Sequence, residues 1–217
     1  MEPAEYEAWY HTSRGKWIAG IEWKLLLDLV QPKADTTLLD VGCGTGYFSR
    51  RFAEIGLNVT ALDPNQAALA YAKQQGEGIH YLQANALSLP FSSDSFDYVS
   101  AITRLCFVGP QQQALQDMWR VVRRGLLLGV LNKHSLLYWQ KRNSRSYAGA
   151  RWDRITTVKK WAGYLEPEPY RISVSNGVLV AGSGKLSRLA ERTLGSFLPF
   201  GAFIAMYIEK SPAKYNG

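Results

Sequence analysis

Apolar residues recur three or four apart at Trp17, Ile18, Ile21, Leu25, Leu26 and Leu29, the spacing of one helix face, and Pro32 ends the pattern. The rhythm then shortens. Leu38-Leu39-Asp40-Val41 is a short apolar run that meets glycine punctuation at Gly42, Gly44 and Gly46. Helical spacing returns over 47–55, with Phe48, Phe52 and Ile55 on one side and Gly56 closing it. The pattern next predicts a strand over 57–62, a helix over 66–75 stopped by Gly76, and a strand over 79–82. A loop rich in Ser, Pro and Asp precedes a strand at 96–102, and a helix is predicted over 111–123. Leu126 to Leu131 is so apolar that both faces of this strand must be covered. Strands alternating with helices at this spacing imply an α/β, doubly wound parallel sheet. Right-handed crossovers then put helices on both of its faces.

Past residue 132 the alternation changes. Helices are predicted over 135–142 and 156–164, and strands over 170–174 and 201–209. The stretch 175–199 carries no clear period, and no element is assigned to it. There is no internal repeat. At 217 residues, 47% of them hydrophobic, the chain can bury one sizeable core without staples, so a single domain over 1–217 is expected.

Composition narrows the setting more than the chemistry. The start, MEPAEYEAWY, has neither a basic nor an apolar stretch, so no signal peptide is expected. The longest apolar run is far shorter than the ~20 residues needed to span a bilayer. Cys43 and Cys106 show no paired-thiol or metal-ligand spacing, which suits a reducing, cytoplasmic protein without a metal site. The net charge of +7 is partly local. Lys133, Lys141, Arg142, Arg145, Arg151, Arg154, Lys159 and Lys160 crowd one stretch in which Asp153 is the only acid. That stretch reads as a solvated helix and loop, or as a surface for an anionic substrate or membrane.

Chemistry is concentrated where the run 38–41 enters the glycines. A buried strand leads into a tight turn and then a helix, and in open α/β sheets the ligand crevice lies at such strand ends. Glycine supplies positive φ there, or leaves out a Cβ where backbone touches ligand. The dinucleotide pattern G-x-G-x-x-G would need a glycine at 47, where Tyr47 stands. The spacing is G-x-G-x-G, with Asp40 two residues ahead, and a carboxylate there suits a cationic ligand better than a pyrophosphate. S-adenosylmethionine carries a sulfonium and an ammonium. Asp63 ends the next strand, 17 residues after Gly46. It is placed either to cap the following helix or to accept both ribose hydroxyls of a nucleoside.

Asp40 to Gly46, Asp63, the segment 83–91 (QANALSLPF) and Ser95-Phe96-Asp97-Tyr98-Val99 follow one another in an order that resembles a known family. They look like the class I S-adenosylmethionine-dependent methyltransferases, in the ubiquinone/menaquinone-biosynthesis-type (methyltransferase type 11) group. The likeness is clear over 38–132. It implies a Rossmann-like, mostly parallel seven-stranded sheet with helices on both faces and the last strand antiparallel. It divides the domain into an N-terminal helical lid (1–37), a cofactor-binding half (38–132), and a substrate insertion with the C-terminal strands (133–217). Carried over, it sets Gly42, Gly44 and Gly46 behind the methionine part of S-adenosylmethionine and Asp40 near its ammonium. Asp63 would hold the ribose, with Pro64 beside the adenine. Asn85, where the family usually has Asp, would accept from the adenine amino group, and the Ala86 N–H would face the ring. Ile102 would face the methionine end. S-adenosylhomocysteine is the product so implied.

Two departures concern the acceptor side. Cys106 stands where the group often has an acid or histidine, and Arg123-Arg124-Gly125 replaces a proline–glycine turn. Substrate elements in this resemblance are the N-terminal segment and the insertion after the fifth strand. Tyr6, Trp9, Tyr10, His11, Arg14 and Trp17 could form an aromatic lid over a sulfonium, or simply pack the helix onto the sheet. Tyr10 and Trp17 are the residues expected to touch the cofactor. His11 and His134 are the two candidate general bases, the first in the N-terminal segment and the second in the insertion that runs on through Tyr147 and Arg151. Methyl transfer by in-line SN2 displacement can also rest on orientation alone. The acceptor is expected to be a small molecule, anionic or aromatic, and the protein a monomer or homodimer. A nucleic-acid methyltransferase and a non-catalytic binder of the cofactor are the alternatives. Against the first, Ala101-Ile102-Thr103-Arg104 replaces the Asn/Asp-Pro-Pro-aromatic motif of base-amino methylation.

Overall fold

A computed structural model describes residues 2–144, 149–178 and 200–211. Two helices lead in, α1 (Pro3–His11) and α2 (Ser13–Leu29). The sheet is then built by β1 (Thr37–Val41), β2 (Asn58–Asp63), β3 (His80–Gln83), β4 (Phe96–Ile102), β5 (Val122–Leu131), β6 (Arg171–Gly177) and β7 (Phe203–Glu209). Between them run α3 (Tyr47–Glu54), α4 (Gln66–Gln74), α5 (Gln111–Val121), α6 (Leu136–Lys141) and α7 (Ile155–Ala162). The strand order is β3-β2-β1-β4-β5-β7-β6. The pairs among β1 to β5 are parallel, and β7 is antiparallel to both its neighbours, β5 and β6. This is the expected doubly wound, mostly parallel sheet of seven strands with its last strand antiparallel. No helix among the described residues is long and apolar enough to cross a membrane.

Period-2 side-chain alternation splits the core between the two faces. In β1, Leu39 and Val41 join one buried cluster and Leu38 the other. In β5, Leu126, Leu128 and Val130 lie on the first face and Leu127 on the second. The first cluster packs under α5 and α7, the second under α2, α3 and α4. The predicted covering of both faces of 126–131 is therefore met. The order reverses between β1 and β4, and the crevice of such a sheet opens at the carboxyl ends of these strands.

Several boundaries differ from the sequence pattern, most of all ahead of β5. The helix predicted over 111–123 ends at Val121, and β5 begins at Val122, four residues ahead of Leu126. No turn of any kind intervenes. The β-branched pair Val121-Val122 favours extension, and Arg123 and Arg124 both pair with Asp97, at 3.3 and 3.1 Å, holding the chain against β4. Gly125 then fits where a Cβ would lie 2.5 Å from the Ile208 carbonyl oxygen of β7. The N-terminal segment is broken at Thr12, whose hydroxyl oxygen accepts the Gly15 N–H at 3.0 Å and caps α2. In the unassigned stretch 175–199, β6 runs on to Gly177, while 179–199 lie outside the described residues, as do Arg145 and Tyr147.

Candidate active site

The turn after β1 is tied down first by backbone. The N–H groups of Gly42 and Cys43 both donate to the Leu62 carbonyl, at 2.7 and 3.0 Å, and the Gly46 N–H donates to Cys43 at 2.9 Å. Gly42, Gly44 and Gly46 have φ of 76°, 55° and 80°. Side chains rarely adopt these values, which is why glycine recurs here. Gly46 is the N-cap of α3, so the helix starts as the turn ends.

The two acids at the strand ends are held differently. Asp40 is buried, and its carboxylate accepts the hydroxyls of Ser49 (2.6 Å) and Ser100 (2.8 Å). Register places Ser100 beside it on β4, and Ser49 reaches down from α3. Asp40 thus pins β1, β4 and α3 together beneath the turn. Burial raises its pKa and the two serine hydroxyls oppose that shift. Asp63 is also fully buried. Its Oδ2 accepts the Gly44 N–H at 3.0 Å, while its Oδ1 accepts the Asn65 N–H at 2.8 Å and the Arg104 guanidinium at 3.1 Å. The helix-capping alternative falls to the neighbour, since the Asn65 side chain accepts from Ala67 and Ala68 at the start of α4.

Beside these acids lies a cavity of about 320 Å³ lined by Gly42, Leu62, Pro64, Asn85, Ala86, Leu87, Arg104, Phe107, Val108 and Gly109. Gly42, Pro64, Asn85 and Ala86, far apart in sequence, are brought together here, while Tyr10, Trp17, Asp40, Gly44, Gly46, Asp63 and Ile102 are not among the lining residues. Asn85 accepts the Leu87 N–H at 3.0 Å, which fixes its amide oxygen while leaving that oxygen a second lone pair. Ile102 is buried at the end of β4. Tyr10 stacks on Tyr47, ring centroids 3.8 Å apart, at the head of α3, and shares a hydroxyl hydrogen bond of 3.1 Å with Tyr6. The α1 helix is further tied to α3 by an ion pair between Glu7 and Arg50, the latter also donating to the Thr45 carbonyl at 2.8 Å. Trp17 packs half-buried against the second core cluster. His11, ending α1, and His134, after β5, are exposed, and neither lines the cavity.

Leu62, Leu87, Arg104, Phe107, Val108 and Gly109 line the cavity without having been expected to from the sequence. A basic side chain two residues past a strand end was the available signal for Arg104. Cys106 is buried, its sulfur 3.5 Å from the Leu131 N–H, and burial pushes its thiol up to about 11. Glu22 was passed over too, although it interrupts the apolar stripe of α2 between Ile18 and Leu26, and its burial pushes the carboxyl up to about 8.

A glycine turn, an acid at the next strand end and a cavity at the carboxyl ends of the strands are consistent with a Rossmann-like methyltransferase fold. Comparison with known proteins agrees. A family model described as a methyltransferase domain matches residues 39–129. A malonyl-[acyl-carrier protein] O-methyltransferase of Pectobacterium atrosepticum is 35% identical over 100 residues, 46% of this chain and 40% of that protein. A demethylmenaquinone methyltransferase of Renibacterium salmoninarum is 35% identical over 102 residues, 47% of this chain and 43% of that one. The chain therefore spans less than half the length of these two relatives. A methyltransferase from Thermotoga maritima of known structure superposes with a TM-score of 0.72 at 21% identity, over 96% of this chain and 95% of that one, and shares the fold.

Proposed function

We propose that the protein is an S-adenosylmethionine-dependent methyltransferase acting on a small-molecule acceptor, with S-adenosylhomocysteine as product. The observation that carries this reading is the coupling of Gly44 to Asp63, which joins the glycine turn to an acid suited to ribose beside a cavity. The residues present fit the cofactor. A Cβ at Gly44 would meet nothing within 4 Å, so the turn leaves room for a ligand at its crest. Asn85 keeps an acceptor for an adenine amino group, and Asp63 offers a fixed carboxylate to hydroxyls.

When bound, the cofactor supplies an electrophilic methyl on a sulfonium. The chain's part is to orient. Asp63 and Asn85 hold the nucleoside, and Gly42 to Gly46 back the methionine portion. Fixing donor and acceptor in line for SN2 attack accounts for most of what such an enzyme must do, and no general base is assigned. The relatives act on different acceptors by their names, malonyl-[acyl-carrier protein] and demethylmenaquinone, so they do not select one for this chain.

The test is calorimetric titration with S-adenosylmethionine, S-adenosylhomocysteine and NAD, followed by a screen of small acceptors. Micromolar binding of the adenosyl ligands with methyl transfer to an acceptor is expected. Preference for NAD, or binding of neither adenosyl ligand, would overturn the reading.

A further inference from the structure

Arg104 lies along the glycine turn, so closely that a Cβ at Gly42 would fall 1.9 Å from its Cγ. Its guanidinium ends on Asp63 at 3.1 Å, with the Asp63 side chain 1% exposed and its own 33%. The backbone holds it there under strain. Thr103 has a φ of 56°, which a β-branched residue resists, and its N–H is fixed to the Gly129 carbonyl at 2.7 Å. Among the described residues lining the cavity, Arg104 is the only charged one.

The acceptor positions on Asp63 can be counted. A carboxylate offers about four lone-pair sites. The Gly44 and Asn65 N–H groups take two, both fixed by the fold, and Arg104 takes a third. Two ribose hydroxyls need two. All five donors cannot be served, and Arg104 is the only mobile one of the three in place. We propose that Arg104 is a displaceable stand-in for the nucleoside on Asp63, and that on cofactor binding it moves off to pair with a carboxylate of a bound ligand. This rests on the S-adenosylmethionine reading above.

The second half follows from electrostatics. A partly buried guanidinium stripped of its counter-ion is costly until it finds another. Glu7 is held by Arg50. Glu22 forms no ion pair with Arg104 among the described residues, and burial pushes its carboxyl up to about 8, which favours its neutral form near pH 7. The cofactor's own methionine carboxylate or an acidic acceptor must then supply the charge.

Titration of wild type and Arg104→Ala with S-adenosylhomocysteine and with 5′-methylthioadenosine, which lacks the carboxylate, separates these sources. A state available only when Arg104 is displaced lowers apparent affinity by the fraction so populated. Methylthioadenosine is therefore expected to bind Arg104→Ala about fivefold tighter or more. If Arg104 takes the cofactor's carboxylate, S-adenosylhomocysteine loses affinity in the variant. If it serves the acceptor, S-adenosylhomocysteine gains as methylthioadenosine does, and acetate at constant ionic strength tightens its binding to wild type only; no acetate effect in that case overturns the re-pairing. Equal or weaker methylthioadenosine binding by the variant, repeated with Arg104→Gln and with unchanged melting, overturns the displacement while bound S-adenosylhomocysteine leaves the cofactor reading standing. Binding of neither ligand to any form overturns both.

Discussion

Gly44 donates its backbone N–H to the Asp63 carboxylate across 3.0 Å, so the turn after β1 and the end of β2 move as one body. Asp63 is fully buried and Gly44 partly so, at the carboxyl ends of the neighbouring strands β2 and β1. Asp63→Ala removes the acceptor for the turn and for ribose together. Cofactor-product affinity is expected to fall by ~1–3 kcal/mol, the scale of lost buried hydrogen bonding. Calorimetry with S-adenosylhomocysteine checks it, and unchanged affinity with an intact fold would remove Asp63 from the ribose site.

At Gly44 itself the fold and the ligand can be separated. A Cβ there meets no neighbour within 4 Å, yet the φ of 55° strains any other residue. Gly44→Val is expected to cost ~1–3 kcal/mol of stability from backbone strain while eliminating cofactor binding by filling the ligand's space. Denaturation and titration of the same sample decide the matter. Retained binding would put the ligand elsewhere.

The sheet was legible because its strands are short apolar runs bounded by glycine, and each of the seven appears near its predicted place. Its boundaries were not legible where tertiary contacts override local pattern. Val122 to Gly125 joins β5 because Asp97 on the neighbouring strand holds Arg123 and Arg124, and no local signal reports that pairing. The site was half legible. Gly42 announces itself by spacing, whereas Pro64, Asn85 and Ala86 came only from the family resemblance; all four line the cavity. Arg104 was not legible, because its importance comes from a contact 41 residues away with Asp63.

Asp40 is pinned by two serine hydroxyls rather than by solvent, and both bonds are buried. Removing either donor leaves a carboxylate oxygen short of a partner in a closed space. Ser49→Ala and Ser100→Ala are each expected to destabilise by ~1–3 kcal/mol, with the double variant not simply additive because the donors share one acceptor group. Urea denaturation of the three variants provides the cycle. Costs near zero for both would mean water replaces the hydroxyls.

Glu22 makes stability depend on pH in a direction that can be worked out. Its ordinary value is 4.5 and burial on the inner stripe of α2 raises it to about 8 in the folded protein. Between those two values the folded chain keeps a proton that the unfolded chain has released, so the unfolded state binds fewer protons and stability falls as pH rises. Above about 8 both states are ionised and the term no longer changes. The surrounding groups do not cancel it, since Tyr6 and Tyr10, which feel the Glu22 charge, have their own pKa values raised by burial and remain neutral throughout that window. Glu22→Gln abolishes the term. The stability of this variant minus that of wild type is expected to climb steadily from about pH 5 to about pH 8 and then level off, measured by chemical denaturation at intervals across that range. A flat difference curve would mean that Glu22 is ionised in the folded protein at neutral pH.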